Sequence, residues 1–113
     1  MIKIYHNNRC SKSRCALEIL EKSGNEFQII KYLENTPTKK ELLEVIKLLG
    51  ITPLELIRKN EAIWKENFKG KSLTNEALVD AMLQFPKLIE RPIVIHNNKA
   101  VICRPPEKIL EIL

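Results

Sequence analysis

The residues of this chain able to attack, hold or protonate a substrate are its cysteines, arginines and histidines, and their spacing singles out Cys10. It lies in the run His6-Asn7-Asn8-Arg9-Cys10-Ser11-Lys12-Ser13-Arg14. Cysteine attacks as its thiolate, and a thiol at a helix N-terminus or beside cations drops from a pKa of about 8.5 to roughly 3.5–7.5. Both conditions are met on paper. Residues 2–5 (IKIY) read as a strand, residues 6–8 as a polar turn, and from Ser11 a helical pattern carries Ala16, Leu17, Ile19 and Leu20 to a stop at Ser23-Gly24. Cys10 then stands at or beside the helix cap, where free N–H groups and the positive end of the helix dipole converge. Arg9, Lys12 and Arg14 add positive charge. The setting is that of a nucleophile beside an anion site.

Spacing excludes two familiar thiol devices. A phosphatase loop needs Cys-x5-Arg, and Arg14 gives only Cys-x3-Arg. A dithiol redox motif needs Cys-x-x-Cys, and position 13 is serine. Cys10 is thus a monothiol, with Ser11 and Ser13 able to donate hydrogen bonds to it or to a bound anion. Cys15 should point away from Cys10 at 100° per helical residue, and Cys103 reads as a packed strand residue. His6, four residues before the cysteine, is placed to stabilise the thiolate or relay a proton. Arg58, Arg91 and Arg104 each stand at an element boundary, and the planar guanidinium suits tetrahedral oxyanions.

The remaining elements must position these groups. Residues 27–32 (FQIIKY) read as a second strand. Thr38-Lys39-Lys40-Glu41 is a capping box opening a helix that Gly50 ends. Thr52-Pro53-Leu54-Glu55 opens a short helix that Arg58 closes. A further helix runs from Thr74 to about Gln84, with Trp64 before it as packing on the same helical stretch. Two short strands, 93–95 and 100–102, meet across Asn97-Asn98, a good hairpin pair, and Pro105-Pro106-Glu107 opens a helix ending at Leu113. The order is β-α-β, a helical insertion, then β-β-α, which predicts an α/β thioredoxin- or glutaredoxin-like fold, read as one domain over 1–113. In that fold a proline, commonly cis, precedes the third strand and lies against the active cysteine; Pro92 fits that place and brings Arg91 with it.

Composition bounds the rest. The net charge is +5 from 19 basic and 14 acidic residues, but the cations are dispersed among acids without aromatic interleaving, which argues against nucleic acid and for a small oxyanion. An odd count of three cysteines fits a reducing cytoplasm rather than a disulfide framework. The His and Cys spacings suit no metal site. No apolar run reaches membrane-spanning length, and no secretory signal opens the chain. With no long exposed apolar stripe, a monomer is expected.

The segments YHNNRCSKSR, YLENTPTKKEL, LGITPLELIRKNE, FPKLIERPIVI and CRPPEKIL together resemble the glutaredoxin-coupled arsenate reductase (ArsC-type) family over almost the whole chain. The resemblance implies Cys10 as nucleophile, His6 and Ser13 as residues assisting its thiolate, and Arg58, Arg91 and Arg104 as binders of arsenate and of the intermediates. It implies no bound cofactor or metal, with glutathione and glutaredoxin as co-substrates. Two departures stand out. Ser11-Lys12 replaces the Gly-Thr of many relatives, which adds a charge beside the site, and the chain stops at Leu113 where longer relatives continue. Two other activities fit the same fold: a Spx-like regulator binding RNA polymerase, against which Ser13 in place of a second cysteine argues, and a thiol oxidoreductase acting on another substrate.

Overall fold

The structure, a computed structural model, describes residues 2–7 and 9–113. The chain divides into two compact units, one formed by Met1–Asn35 with Arg91–Leu113, the other by Thr36–Glu90.

The first unit is built on a four-stranded sheet in the order β2-β1-β3-β4. Strand β1 (Ile2–Tyr5) lies parallel to β2 (Phe27–Ile30), with Ile2 opposite Phe27 and Ile4 opposite Ile29. On its other side β1 runs antiparallel to β3 (Ile93–His96), which pairs antiparallel with β4 (Lys99–Ile102). The parallel pair requires a crossover, and helix α1 (Ser11–Ser23) provides it. Gly24 ends α1 at φ 76°, a left-handed conformation that costs glycine nothing. Asn97 and Asn98 take φ 49° and 60°, the double positive φ that a two-residue hairpin of this twist demands. Ala16 and Leu20, four apart and therefore on one face of α1, pack with Ile2, Ile4, Val94, Cys103 and Ile109 in a single core cluster. Ile109 belongs to the closing 3-10 helix Pro106–Glu111. The His96 ring donates from Nδ1 to the carbonyl of Ile112 at 2.6 Å and holds the end of that segment.

The second unit is helical. Helix α2 (Lys39–Leu49) opens on the expected capping box: the Glu41 amide donates to Thr38 Oγ1 at 3.2 Å, and the Thr38 amide to Glu41 Oε1 at 3.0 Å. Thr52 and Glu55 repeat the box ahead of a single 3-10 turn, Pro53–Leu56. Helices α3 (Ala62–Asn67) and α4 (Asn75–Gln84) follow. Leu42, Val45, Ile46, Leu56, Leu78, Val79 and Met82 are buried. Trp64 stacks on Phe68 at 5.7 Å between ring centroids, and Phe68 meets Phe85 edge-on at 6.1 Å.

The β-α-β, helical, β-β-α order is as expected, with local differences, the smallest being that β3 and β4 each reach one residue nearer the hairpin turn than read. Strand β2 stops at Ile30 rather than residue 32, because its partner β1 is itself four residues long. The helix read from Thr52 is one 3-10 turn, and Arg58 lies two residues past its end instead of closing it. The C-terminal helix is 3-10 and stops at Glu111. Helix α3, six residues long, went unread because it is too short to establish a period.

Candidate active site

Cys10 is the N-cap residue of α1, with extended backbone angles of −95° and 121°. Its amide donates to the Asn7 carbonyl at 3.0 Å, and its carbonyl accepts the Arg14 amide at 3.0 Å. The turn is thus closed on both sides of the cysteine, and the thiol lies over the first turn of the helix. Burial pushes its pKa up, but this is outweighed by the Ser13 amide, the Arg91 guanidinium and the Lys12 amide, which all point at the sulfur and leave it below its ordinary value. The free amides of a helix start and a cation act together here.

Arg91 and Arg104, both in this unit, flank the same sulfur. Arg91 faces Cys10 and also the hydroxyl of the wholly buried Tyr32; burial works against its charge, and these two neighbours favour it more strongly. Arg104 Nη2 stands 3.8 Å from Cys10 Sγ, a long contact, while its Nε donates to the Arg91 carbonyl at 2.7 Å. One arginine therefore anchors the backbone of the other. Each precedes a cis proline, Pro92 and Pro105, so Pro92 has the geometry that the fold reading anticipated.

His6 and Ser13 form a buried pair behind the cysteine turn, with His6 Nδ1 2.7 Å from Ser13 Oγ. The same oxygen accepts the Asn7 amide at 3.0 Å. Sequence reasoning gave Ser13 a hydroxyl role toward the thiolate. In the structure its hydroxyl serves His6 and Asn7, and its backbone N–H serves the sulfur. Lys12, too, acts on the thiol through its amide; its side chain is exposed.

Arg58 belongs to the second unit. Its Nε lies 3.7 Å from carboxylate oxygens of both Glu61 and Glu90. Its amide donates to the Leu88 carbonyl at 2.7 Å, and the Glu90 amide returns a bond to Leu56. Cys15 is exposed on α1, and Cys103 is buried, where loss of solvent pushes its thiol up to about 12. Among the described residues no group of three or more His, Cys, Asp or Glu side chains is arranged to hold a metal ion, and no helix is long and apolar enough to cross a membrane. Tyr32 was missed as a site residue: it reads as one more strand aromatic, and its contact with Arg91 crosses about half of the sequence.

The chain resembles known proteins over nearly its full length. Residues 5–112 match the family model described as ArsC family. The chain is 45% identical over 113 residues to the arsenate reductase of Escherichia coli (strain K12), covering 99% of this chain and 80% of that protein. It is 48% identical over 114 residues to an Escherichia coli (strain K12) protein named Uncharacterized protein YfgD, covering 99% and 96%. Among solved structures, an arsenate reductase from Vibrio cholerae superposes with a TM-score of 0.94 at 47% identity, covering 99% of this chain and 97% of that one. The fold is that of the ArsC-type, thioredoxin-like proteins, and with a family match across nearly its full length the chain belongs to the ArsC family.

Proposed function

We propose that this chain reduces arsenate to arsenite through a covalent adduct on Cys10, with glutathione and glutaredoxin supplying the electrons. The observation that carries this reading is a monothiol set at a helix start, with two amides and two arginines on its sulfur that hold its pKa below the ordinary value. Relatives named arsenate reductase support the choice of oxyanion.

The chemistry follows from that site. The Cys10 thiolate attacks arsenic, a sulfur–arsenic bond forms, and one arsenate oxygen leaves as water after taking two protons. Arg91 and Arg104 offset the negative charge that a thiolate meets in approaching an oxyanion. Glutathione then adds its sulfur to the same arsenic, displacing a second oxygen as water. The glutaredoxin thiolate attacks the glutathione sulfur; the electron pair of the sulfur–arsenic bond stays on arsenic, which passes from As(V) to As(III). Water finally releases arsenite and restores the Cys10 thiol. A site with no second thiol at position 13 needs that external reductant. The reading requires no bound cofactor, and it suits a reducing compartment, since all three cysteines are free. The resemblance assigns Arg58 to the same anion, and the arsenate KM of Arg58→Ala tests that assignment.

The test is arsenate-dependent NADPH oxidation with glutathione, glutaredoxin and glutathione reductase present. Wild type should turn over and Cys10→Ser should not. A Cys10→Ser protein that keeps turning over defeats the adduct mechanism. A wild type with a reactive Cys10 thiol but no arsenate-dependent rate defeats the choice of substrate.

A further inference from the structure

Tyr32 is the largest wholly buried side chain among the described residues, yet it stands two residues beyond the end of β2. A buried aromatic outside the ladder needs a reason other than the sheet. Its backbone is fixed on either side. The Ile30 carbonyl accepts the His6 amide at 2.9 Å, and the Lys31 carbonyl accepts the Glu34 and Asn35 amides at 2.9 and 2.8 Å. The ring is thus held in a closed turn, and its hydroxyl meets the guanidinium of Arg91, which in turn reaches the Cys10 sulfur. All three residues belong to the first unit.

Arg91 needs such a stop. An arginine side chain has about 2 kcal/mol of rotamer entropy to lose before its guanidinium is fixed. Arg104 holds Arg91 at the carbonyl, at 2.7 Å, which does not fix the side chain. Arg91 Nε is buried without a hydrogen-bond partner among the described residues, so the Nη nitrogens make its polar contacts. A guanidinium only donates, through five N–H groups, and a phenol oxygen can accept from one and leave the rest for the sulfur. The two contacts therefore do not compete. The chemistry of the anchor matters as well. Arg58 stands between the carboxylates of Glu61 and Glu90, which oppose its charge. The neighbours that favour the Arg91 cation are a phenol and the thiol itself. A neutral phenol holds the guanidinium and leaves its full charge for the sulfur.

We propose that Tyr32 is a positioning residue whose buried hydroxyl holds the Arg91 guanidinium against the Cys10 thiolate without neutralising it. This deepens the reductase reading and rests on it for the use made of the thiol, but its test needs no oxyanion.

Tyr32→Phe keeps the ring and removes only the hydroxyl. The readout is the pH midpoint of iodoacetamide alkylation at the Cys10 peptide, by mass spectrometry. It should rise by about half a pH unit, because Arg91 keeps its charge but loses one of its two fixed points, and below the midpoint the rate should fall about threefold. In an Arg91→Met background the same change should leave the midpoint where Arg91→Met alone puts it, the signature of one residue acting through another. A packing role alone leaves the midpoint of Tyr32→Phe at the wild-type value. Where Tyr32→Phe does not fold, the wild-type protein decides: side-chain nitrogen NMR should resolve separate Nη signals for a held Arg91, and a single averaged signal overturns the assignment. An unchanged or lowered midpoint in folded Tyr32→Phe overturns it too, and leaves arsenate reduction through Cys10 standing. A midpoint raised equally with and without Arg91 overturns it, since Tyr32 then reaches the sulfur by another route. A rise that depends on Arg91, in a protein with no arsenate turnover, sustains the role of Tyr32 and defeats only the choice of oxyanion.

Discussion

Replacing Arg91 by methionine isolates the one side chain that, with two backbone amides, holds the Cys10 thiol below its ordinary pKa. Methionine keeps an unbranched stem of similar length and removes the charge. A hydrogen bond to a charged group contributes about 1.5–3 kcal/mol. Cys10 is only half-buried, so solvent screening favours the low end of that range, about 1.5 kcal/mol, which corresponds to about one pKa unit. The Ser13 and Lys12 amides survive the substitution, so the thiol should not rise through the full range open to a buried cysteine. The assay is the pH dependence of iodoacetamide alkylation, read at the Cys10 peptide by mass spectrometry because Cys15 is also exposed. The midpoint should move up by about one unit, and below it the rate should fall by up to about tenfold. Arg104→Met should move it less, since its contact with the sulfur is 3.8 Å. An unchanged midpoint in Arg91→Met, with the protein folded, refutes the assignment of Arg91 to the thiolate and leaves the amides as its whole support.

Three further outcomes follow from the geometry. Ser13→Ala removes a buried hydroxyl that contacts His6 Nδ1 and the Asn7 amide, so stability by urea denaturation should fall by about 1–3 kcal/mol; the alkylation midpoint should hold, because the Ser13 amide remains. The buried Cys103 thiol, pushed up to about 12, should stay silent to a thiol reagent in the native protein, giving two reactive thiols out of three and the third only in denaturant. Its folded pKa lies above the unfolded one, so its protonated form stabilises the fold fully below about pH 8.5 and that contribution is lost as pH rises toward 12, a decline that Cys103→Ala should lessen in urea midpoints taken across that range. Thr38→Ala breaks a capping box with both bonds formed; it should cost about 1 kcal/mol and lower the melting temperature by about 4 °C in calorimetry.

What the sequence disclosed was local. The start of α1 at Ser11, both capping boxes and the Asn97-Asn98 hairpin depend on residues within four positions of one another, and all stand where their side chains direct. The nucleophile was legible for the same reason: a cysteine between a strand and a helix is a cap wherever the rest of the chain goes. Contacts across the chain were not legible from spacing. Arg104 meets Cys10 over 94 positions; its place at an element boundary marked it as an anion binder but not as a neighbour of the thiol, and Arg91 was brought to the thiol only through the fold reading that set Pro92 against it. Tyr32 shows the limit most clearly. Its strand-like neighbours suggested that it belonged to the sheet, yet the ladder ends at Ile30, and the side chain is buried against Arg91 instead.

The site divides its work between backbone and side chains, and the division explains why one departure from the usual loop is tolerable. The support that Ser13 and Lys12 give the sulfur comes from their amides, which any non-proline residue at those positions would supply. Lysine at position 12 therefore costs the thiolate nothing, and its exposed ammonium is available to solvent or ligand. The Ser13 side chain is released from the thiol in the same way and ties His6 and Asn7 into the turn. That tie fixes Asn7, whose carbonyl fixes the Cys10 amide. Precision at the sulfur thus comes from a hydrogen-bonded turn, and the positive charge beside it comes from Arg91 and Arg104, with Arg104 holding the Arg91 carbonyl. A thiol held this way lies below its ordinary pKa with serine, not a second cysteine, three residues on, the arrangement on which the proposed use of an outside reductant rests.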